Sequence, residues 1–226
     1  MPATPAPIVS PPAPPAEVLV LVAHPQMEQS RANRLMLVAT LEAAQRSGGR
    51  IEVRDLYARY PDYLIDVAAE QAALAGAKLV VWQHPIHWYH MPPLMKLWVD
   101  EVLAFGWAYG PGGTALQGKD LWLAASTGGT EDSYRTDGYN RYYFDAFLPA
   151  YEQTAALCGM RFLPPLLLHG AHRLDKTAVE AHAKVYAERL ASYPAWPEIA
   201  ELADCVVCEV PATARPAAAA RVQEAA

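Results

Sequence analysis

The sequence predicts an open α/β fold: five parallel strands in the order 2-1-3-4-5, with helices on both faces of the sheet. Three observations carry this. Glu17–Ala23 (EVLVLVA), Ala77–Trp82 (AKLVVW) and Lys119–Ser126 (KDLWLAAS) are continuous apolar runs of strand length. They lack the alternation of half-exposed strands, as expected where both faces of a parallel sheet are covered. Ile51–Leu56 (IEVRDL) alternates and Arg161–Leu168 (RFLPPLLL) carries two prolines, so both suit more exposed positions, the second an edge. Strand and helix patterns alternate about five times, the mark of a doubly wound sheet, for which 2-1-3-4-5 is the natural five-strand order.

Residues 1–16 are rich in proline and alanine and have neither a basic segment nor a continuous apolar core. They read as a disordered tail, not a secretory signal. Residues 17–195 hold the folded domain, and 196–226 form a second Ala/Pro-rich tail. The first strand closes at His24-Pro25. A helix follows over Ser30–Arg46, with Leu35, Leu37, Val38, Leu41 and Ala44 as its expected buried side and Gly48-Gly49 as its stop. Tyr57–Asp66 reads as irregular, and Val67–Ala75 as a short helix before the third strand. Pro85 should end that strand's ladder, because proline has no N–H to give. His84–Met91 is then expected to be extended and non-repetitive. Pro93 suits the first turn of a helix reaching Leu103, with Leu94, Leu97, Trp98, Val102 and Phe105 on one side. Arg141–Leu157 is helix-compatible but must kink or break at Pro149. Leu174–Ser192 is the last helix.

With 226 residues the chain can bury one sizeable core. A formal charge of −6 and the lack of a basic cluster argue against a nucleic-acid partner. No apolar run is long enough to span a bilayer. Cys158, Cys205 and Cys208 form no disulfide framework, which suits a reducing cytoplasm. Cys205 and Cys208 make a lone C-x-x-C in the expected tail. The patterns of a P-loop, a dinucleotide-binding glycine loop and a nucleophile elbow are missing, and Ala23-His24 stand where a receiver domain needs acidic residues. His84, His87 and His90 recur at intervals of three, but Pro85 breaks helical geometry and no fourth ligand is apparent, so no metal site is expected.

The predicted strand order sets the carboxyl ends of strands one, three and four side by side, where open α/β sheets bind ligands. Three unusual loops follow those strands: Ala23–Asn33, His84–Met91 and Ser126–Thr130. Ser30 can cap the first helix and leave first-turn N–H groups for an anion. Trp88 and Tyr89 can lie against a planar ligand while N–H groups of Ile86–Tyr89 meet its polar edge. Gly128 and Gly129 allow backbone to approach a flat ring, and N–H groups there would stabilise negative charge on a reduced flavin's pyrimidine edge. Taken singly, each loop also has an ordinary reading: a cap, aromatics packed on a helix, a turn. Their convergence is what points to one site.

The segments AHPQMEQSRAN, DLYARYPDYLID, VWQHPIHWYHMPPLMKLWVDEVLAFGWAYGPGGTALQGK and STGG, in this order and spacing, resemble the flavodoxin-like NAD(P)H:quinone oxidoreductases. The subgroup most similar comprises soluble ancillary subunits of glutathione-gated potassium-efflux antiporters. The resemblance covers about Glu17–Pro194 and implies a cytoplasmic homodimer, peripheral at the inner face of the cell membrane when it engages an antiporter. It implies FMN, held by His24, by Ser30, Arg31, Ala32 and Asn33 at the phosphate, by Ile86, His87, Trp88 and Tyr89 along the ring, and by Ser126, Thr127, Gly128 and Gly129 at the pyrimidine edge. FAD is less expected, since no adenosine contacts can be located. Larger relatives add a Tyr and a His after the glycine loop. Here Tyr134 stands near the first, but Asn140 replaces the second, so that proton donor is missing. Trp107 and Tyr109 of GWAYG join Tyr134 and Asn140 as candidates for the substrate pocket.

The implied reaction is ping-pong: NAD(P)H delivers two electrons to the flavin and a quinone removes them. No protein nucleophile is required. The same resemblance also admits a flavin-binding regulator of a transporter with little turnover of its own. The Pro93–Leu103 helix, with Trp98, is either the dimer contact or packing within one chain.

Overall fold

The computed structural model describes residues 16–197 and 199. Apart from Ala16 and the first residues of the second, the two expected tails lie outside the described residues, as do Cys205 and Cys208. One unit of the chain ends at Tyr193 and a separate one follows it.

Within the first unit, β1 (Val18–Val22), β2 (Ile51–Asp55), β3 (Leu79–Pro85), β4 (Asp120–Ser126) and β5 (Arg161–Leu168) form an all-parallel sheet in the order β2-β1-β3-β4-β5. Every residue of β1, β3 and β4 is buried, whereas β2 and β5 at the edges are partly exposed. The unalternating apolar runs are therefore the three central strands, as their patterning requires. One face is covered by α1 (Arg31–Arg46) and, after β5, by the last helix (Lys176–Ser192). Met36 and Thr40 of α1 are fully buried, and Trp122 of β4 packs on Tyr186. The other face carries the main core. There, odd-numbered β1 residues Leu19 and Leu21 meet side chains from α2 (Leu56–Arg59), α3 (Val67–Gly76), α4 (Pro93–Val102) and α5 (Pro149–Leu157). The last helix, α6, begins after the Asp175 cap, two residues later than expected.

Several local expectations are corrected. The buried side of α1 is Ala32, Asn33, Met36, Thr40 and Ala43; Val38 and Leu41 are 45% and 44% exposed. Asn33 and Thr40 are polar yet buried: Thr40 Oγ1 donates to the Met36 carbonyl at 2.8 Å, and Asn33 Nδ2 donates to Ser30 and Ser126. The supposedly irregular segment opens with α2, capped by Asp55. β3 runs three residues past the expected Trp82, and Pro85 closes it as expected. Pro85 pairs with Ser126, and the next N–H, of Ile86, donates to the Ser126 carbonyl at 2.8 Å. Alternate N–H groups of a strand point to opposite sides. The one that Pro85 lacks would point toward β1, which has already ended opposite Gln83. Arg141–Leu157 resolves into a 3-10 turn, Phe144–Phe147, and α5, with Pro149 in its first turn, where the missing N–H costs nothing.

The α4 stripe is Leu94, Met95, Trp98 and Val102, while Phe105 lies beyond the helix and is 68% exposed. Trp98 has no exposed surface. Its indole Nε1 donates to buried Glu70 at 3.0 Å, and Glu70 also accepts from Arg54 at 2.7 Å and Tyr60 at 2.5 Å. The Trp98 side of α4 is thus used within the chain and does not itself mark a dimer contact.

Candidate functional site

Register places Val22 beside Gln83, and Pro85 beside Ser126, so the loops after β1, β3 and β4 leave the sheet along one rim. His24, Ser30, Arg31, Ala32, Asn33, Ile86, His87, Ser126, Thr127 and Gly128 line one cavity of about 410 Å³. Ile86 continues into a second, of about 540 Å³, lined by Trp88, Tyr89, Gly129, Tyr134 and Asn140. The structure therefore brings all thirteen cofactor candidates onto two adjoining hollows. Trp107 and Tyr109 line neither; both are half-buried against the main core, and Tyr109 makes an edge contact with Phe105.

At the end formed by α1, Ser30 is extended and its Oγ accepts the Asn33 N–H at 3.2 Å. Asn33 Nδ2 donates to Ser30 Oγ at 3.2 Å and across the crevice to Ser126 Oγ at 2.9 Å. This side chain ties the β1 loop to the β4 loop. Its Oδ1 is buried and has no partner. His24 Nδ1 accepts the Gln26 N–H at 3.0 Å, so the imidazole proton sits on Nε2. Burial, and next the neighbouring His87, push its pKa down to about 4. His24 is thus a neutral donor at physiological pH. The Arg31 guanidinium is turned onto the Leu174 carbonyl, leaving the backbone of the helix start to face the cavity.

The β3 loop is not extended. His87 and His90 exchange N–H···O bonds at 2.8 and 3.0 Å around a tight turn whose central residues, Trp88 and Tyr89, have φ of 49° and 66°. Bulky residues in this left-handed region cost of order 1–3 kcal/mol each, and such strain clusters at binding sites. Consequently the N–H groups of Ile86 and His87 are spent on Ser126 and His90, and those of Trp88 and Tyr89 have no backbone acceptor among the described residues. Trp88 is 94% exposed; Tyr89 stacks on Phe147 at 5.2 Å and its hydroxyl donates to Asn140 Oδ1 at 3.3 Å. The histidines do not converge on a metal: His84 and His90 each stack on Tyr151, whereas His87 faces His24.

Gly128 and Gly129 lie outside the left-handed region, and only Gly129 is tightly surrounded. A Cβ on Gly129 would sit 3.3 Å from Ser133 and Tyr134, and one on Gly128 would sit 3.4 Å from His172. The Thr127 N–H donates to the Leu168 carbonyl, and its Oγ1 donates to the Gly129 carbonyl at 2.7 Å. A fourth loop, after β5, was not expected from the sequence. Gly170 and Ala171 donate N–H bonds to the Gly129 and Thr127 carbonyls, and His169 Nδ1 lies 3.0 Å from Thr127 Oγ1. His172 lines the first cavity and Arg173 the second. The available signal was HGAHR, polar and histidine-rich, directly after a strand.

Residues 16–190 match the family described as having a flavodoxin-like fold. The chain belongs to this family. It is 47% identical over 176 residues to the glutathione-regulated potassium-efflux system ancillary protein KefF of Citrobacter koseri, covering 78% of this chain and 96% of that protein. Among solved structures, general stress protein 14 of Treponema denticola in complex with FMN is 38% identical, with a TM-score of 0.71, covering 76% of this chain and 96% of the other. A putative quinone reductase from Klebsiella pneumoniae is 27% identical, with a TM-score of 0.67, covering 76% and 83%. In this family the five-stranded order and the rim at the carboxyl ends of β1, β3 and β4 constitute the flavodoxin-like scaffold.

Proposed function

We propose that this flavodoxin-like chain is an FMN-dependent NAD(P)H:quinone oxidoreductase that also serves as the ancillary subunit of a potassium-efflux antiporter. The observation that carries the reading is the convergence of three sequence-distant loops on one crevice with an anion-binding end and a ring-sized, aromatic end. The residues fit the cofactor. A helix start capped by Ser30, with the His24 donor beside it, suits a phosphate. The orphaned Asn33 Oδ1 is a buried acceptor available to a hydroxylated chain. Gly128 and Gly129 line the two hollows with bare backbone, which lets a flat ring approach closely.

Bound FMN supplies two-electron chemistry, taking a hydride equivalent from NAD(P)H and passing two electrons to a quinone. The chain's own groups hold and polarise. The first turn of α1 would hold the phosphate, the amides of the Gly128-Gly129 loop would stabilise negative charge on the reduced ring, and Trp88 and Tyr89 would wall the substrate face. The Tyr134 hydroxyl is held protonated by burial and contacts Thr127, so it is a neutral donor on the wall of the second cavity. NAD(P)H and quinone would use that cavity in turn. FMN is favoured over FAD because FMN is the flavin in the complex of general stress protein 14, 38% identical to this chain. A homodimer would complete the site with residues such as Trp107 and Tyr109, which one chain leaves outside it. The protein would work in the cytoplasm, at the inner membrane face when docked; no helix among the described residues is long and apolar enough to cross a membrane.

The test is chromatography of the flavin released on denaturation, followed by quinone-dependent NADPH oxidation. A colourless protein that takes up no FMN would refute the reading. The regulatory alternative is favoured by the KefF relatives, whose name records an ancillary protein of a potassium-efflux system. Antiporter gating that survives a variant without turnover would select it.

A further inference from the structure

The second cavity has a composition that stacking alone does not explain. Its walls are aromatic: Trp88 and Tyr139 are 94% and 89% exposed, with Tyr89 and Tyr134 beside them. Surface this apolar, concentrated at one hollow, marks a place that something flat covers. Into the same cavity comes one formal charge, the Arg173 guanidinium, carried by the β5 loop. Among the described residues Arg173 forms no ion pair. Asp132 and Asp137 pair with Arg135, and Asp175 is occupied capping α6. The Arg173 backbone is fixed, its N–H donating to the Gly170 carbonyl at 2.8 Å, and Gly170 is itself bonded to the Gly129 carbonyl at 2.7 Å. The backbone that carries the cation is therefore tied to the glycine loop, beside the second cavity. In a chain of net charge −6, an unpaired arginine facing an aromatic hollow is a recognition element, not a solubilising one.

We infer that this cavity takes a planar aromatic ligand bearing an oxyanion (carboxylate, sulfonate or phosphate), with Arg173 as the residue that selects it. A guanidinium meets such a group through two parallel N–H···O bonds, while the ring lies among Trp88, Tyr89 and Tyr139. The inference rests on the quinone reductase reading for its assignment of the ligand as electron acceptor. The same chemistry is offered by the phosphates of the nicotinamide dinucleotide, the other occupant of this face.

The experiment is equilibrium dialysis with the flavin-loaded protein, comparing wild type, Arg173→Gln and Arg173→Lys. The ligands are 1,4-naphthoquinone-2-sulfonate, uncharged 2-methyl-1,4-naphthoquinone and NADP⁺. Arg173→Gln should raise the Kd of the sulfonate about tenfold or more and leave that of the uncharged quinone within about twofold, with Arg173→Lys in between. Added salt should narrow the gap between wild type and Arg173→Gln. A loss confined to NADP⁺ sustains the oxyanion site and assigns it to the dinucleotide. Equal changes for charged and uncharged ligands, or no change for any, overturn it. Arg173-dependent binding without electron transfer sustains this site and overturns the quinone reductase reading instead.

Discussion

Replacing Asn33 with alanine tests whether one side chain joins the loops after β1 and β4. Asn33 is 3% exposed and donates to Ser30 at 3.2 Å and to Ser126 at 2.9 Å. At about 0.5–1.5 kcal/mol net for each hydrogen bond, Asn33→Ala should cost the cofactor-free protein about 1–3 kcal/mol, measured by urea unfolding. The variant also lacks Oδ1, the buried acceptor left open to a ligand. One lost hydrogen bond should weaken FMN binding about tenfold. The two effects separate by linkage. FMN at about 100 times the wild-type Kd should stabilise the wild type by about 2.7 kcal/mol but the variant by only about 1.4 kcal/mol. Flavin fluorescence quenching gives the affinities directly. A cofactor-free loss below about 0.5 kcal/mol, or an FMN-induced stabilisation equal in the two proteins, would refute the coupling between the β1 and β4 loops.

Glu70→Ala should destabilise the protein by about 3–5 kcal/mol in chemical unfolding, because it strands the buried end of Arg54 together with Tyr60 and Trp98; a loss below about 1 kcal/mol would show the network to be slack. His84 is fully buried, with its Nδ1–H on the Pro85 carbonyl at 2.9 Å, and burial lowers its pKa to about 4 from 6.5. The unfolded chain therefore binds the extra proton first. Stability is full above about pH 6.5 and falls as pH drops toward 4. His84→Phe should flatten part of that fall in pH-dependent urea titrations, and an unchanged profile would exclude His84 as a contributor. Trp88→Gly should raise stability by about 1 kcal/mol, since it relieves a positive φ at a side chain with almost no buried surface. The same change should weaken quinone binding, and a variant with wild-type Kd would remove Trp88 from the substrate wall.

Much of the scaffold was legible because burial on both faces forbids alternation. The central strands could be placed from EVLVLVA, KLVVW and KDLWLAAS without any tertiary information, and with them the rim where the three loops meet. Ser30 as a cap was equally readable, because extended serine before a helix has one local partner. The buried face of α1 was not. Asn33 and Thr40 are polar, and only contacts with Ser126 and with Gln83 at 3.4 Å, far away in sequence, turn them inward. The β3 loop was misread for a related reason. Nothing in HWYH signals two left-handed residues, which elsewhere would call for glycine or asparagine.

The central and edge positions of the strands follow from patterning, because hydrophobic periodicity is a property of neighbouring residues and is written along the chain. Which groups face one another across the crevice is decided by packing between segments a hundred residues apart. The strap of the β5 loop on the glycine loop, the turn that lifts Trp88 into solvent and the bare guanidinium of Arg173 are of that kind. Hydrogen bonds and charges act over a few ångströms of space, so their partners become known only once the chain has been folded.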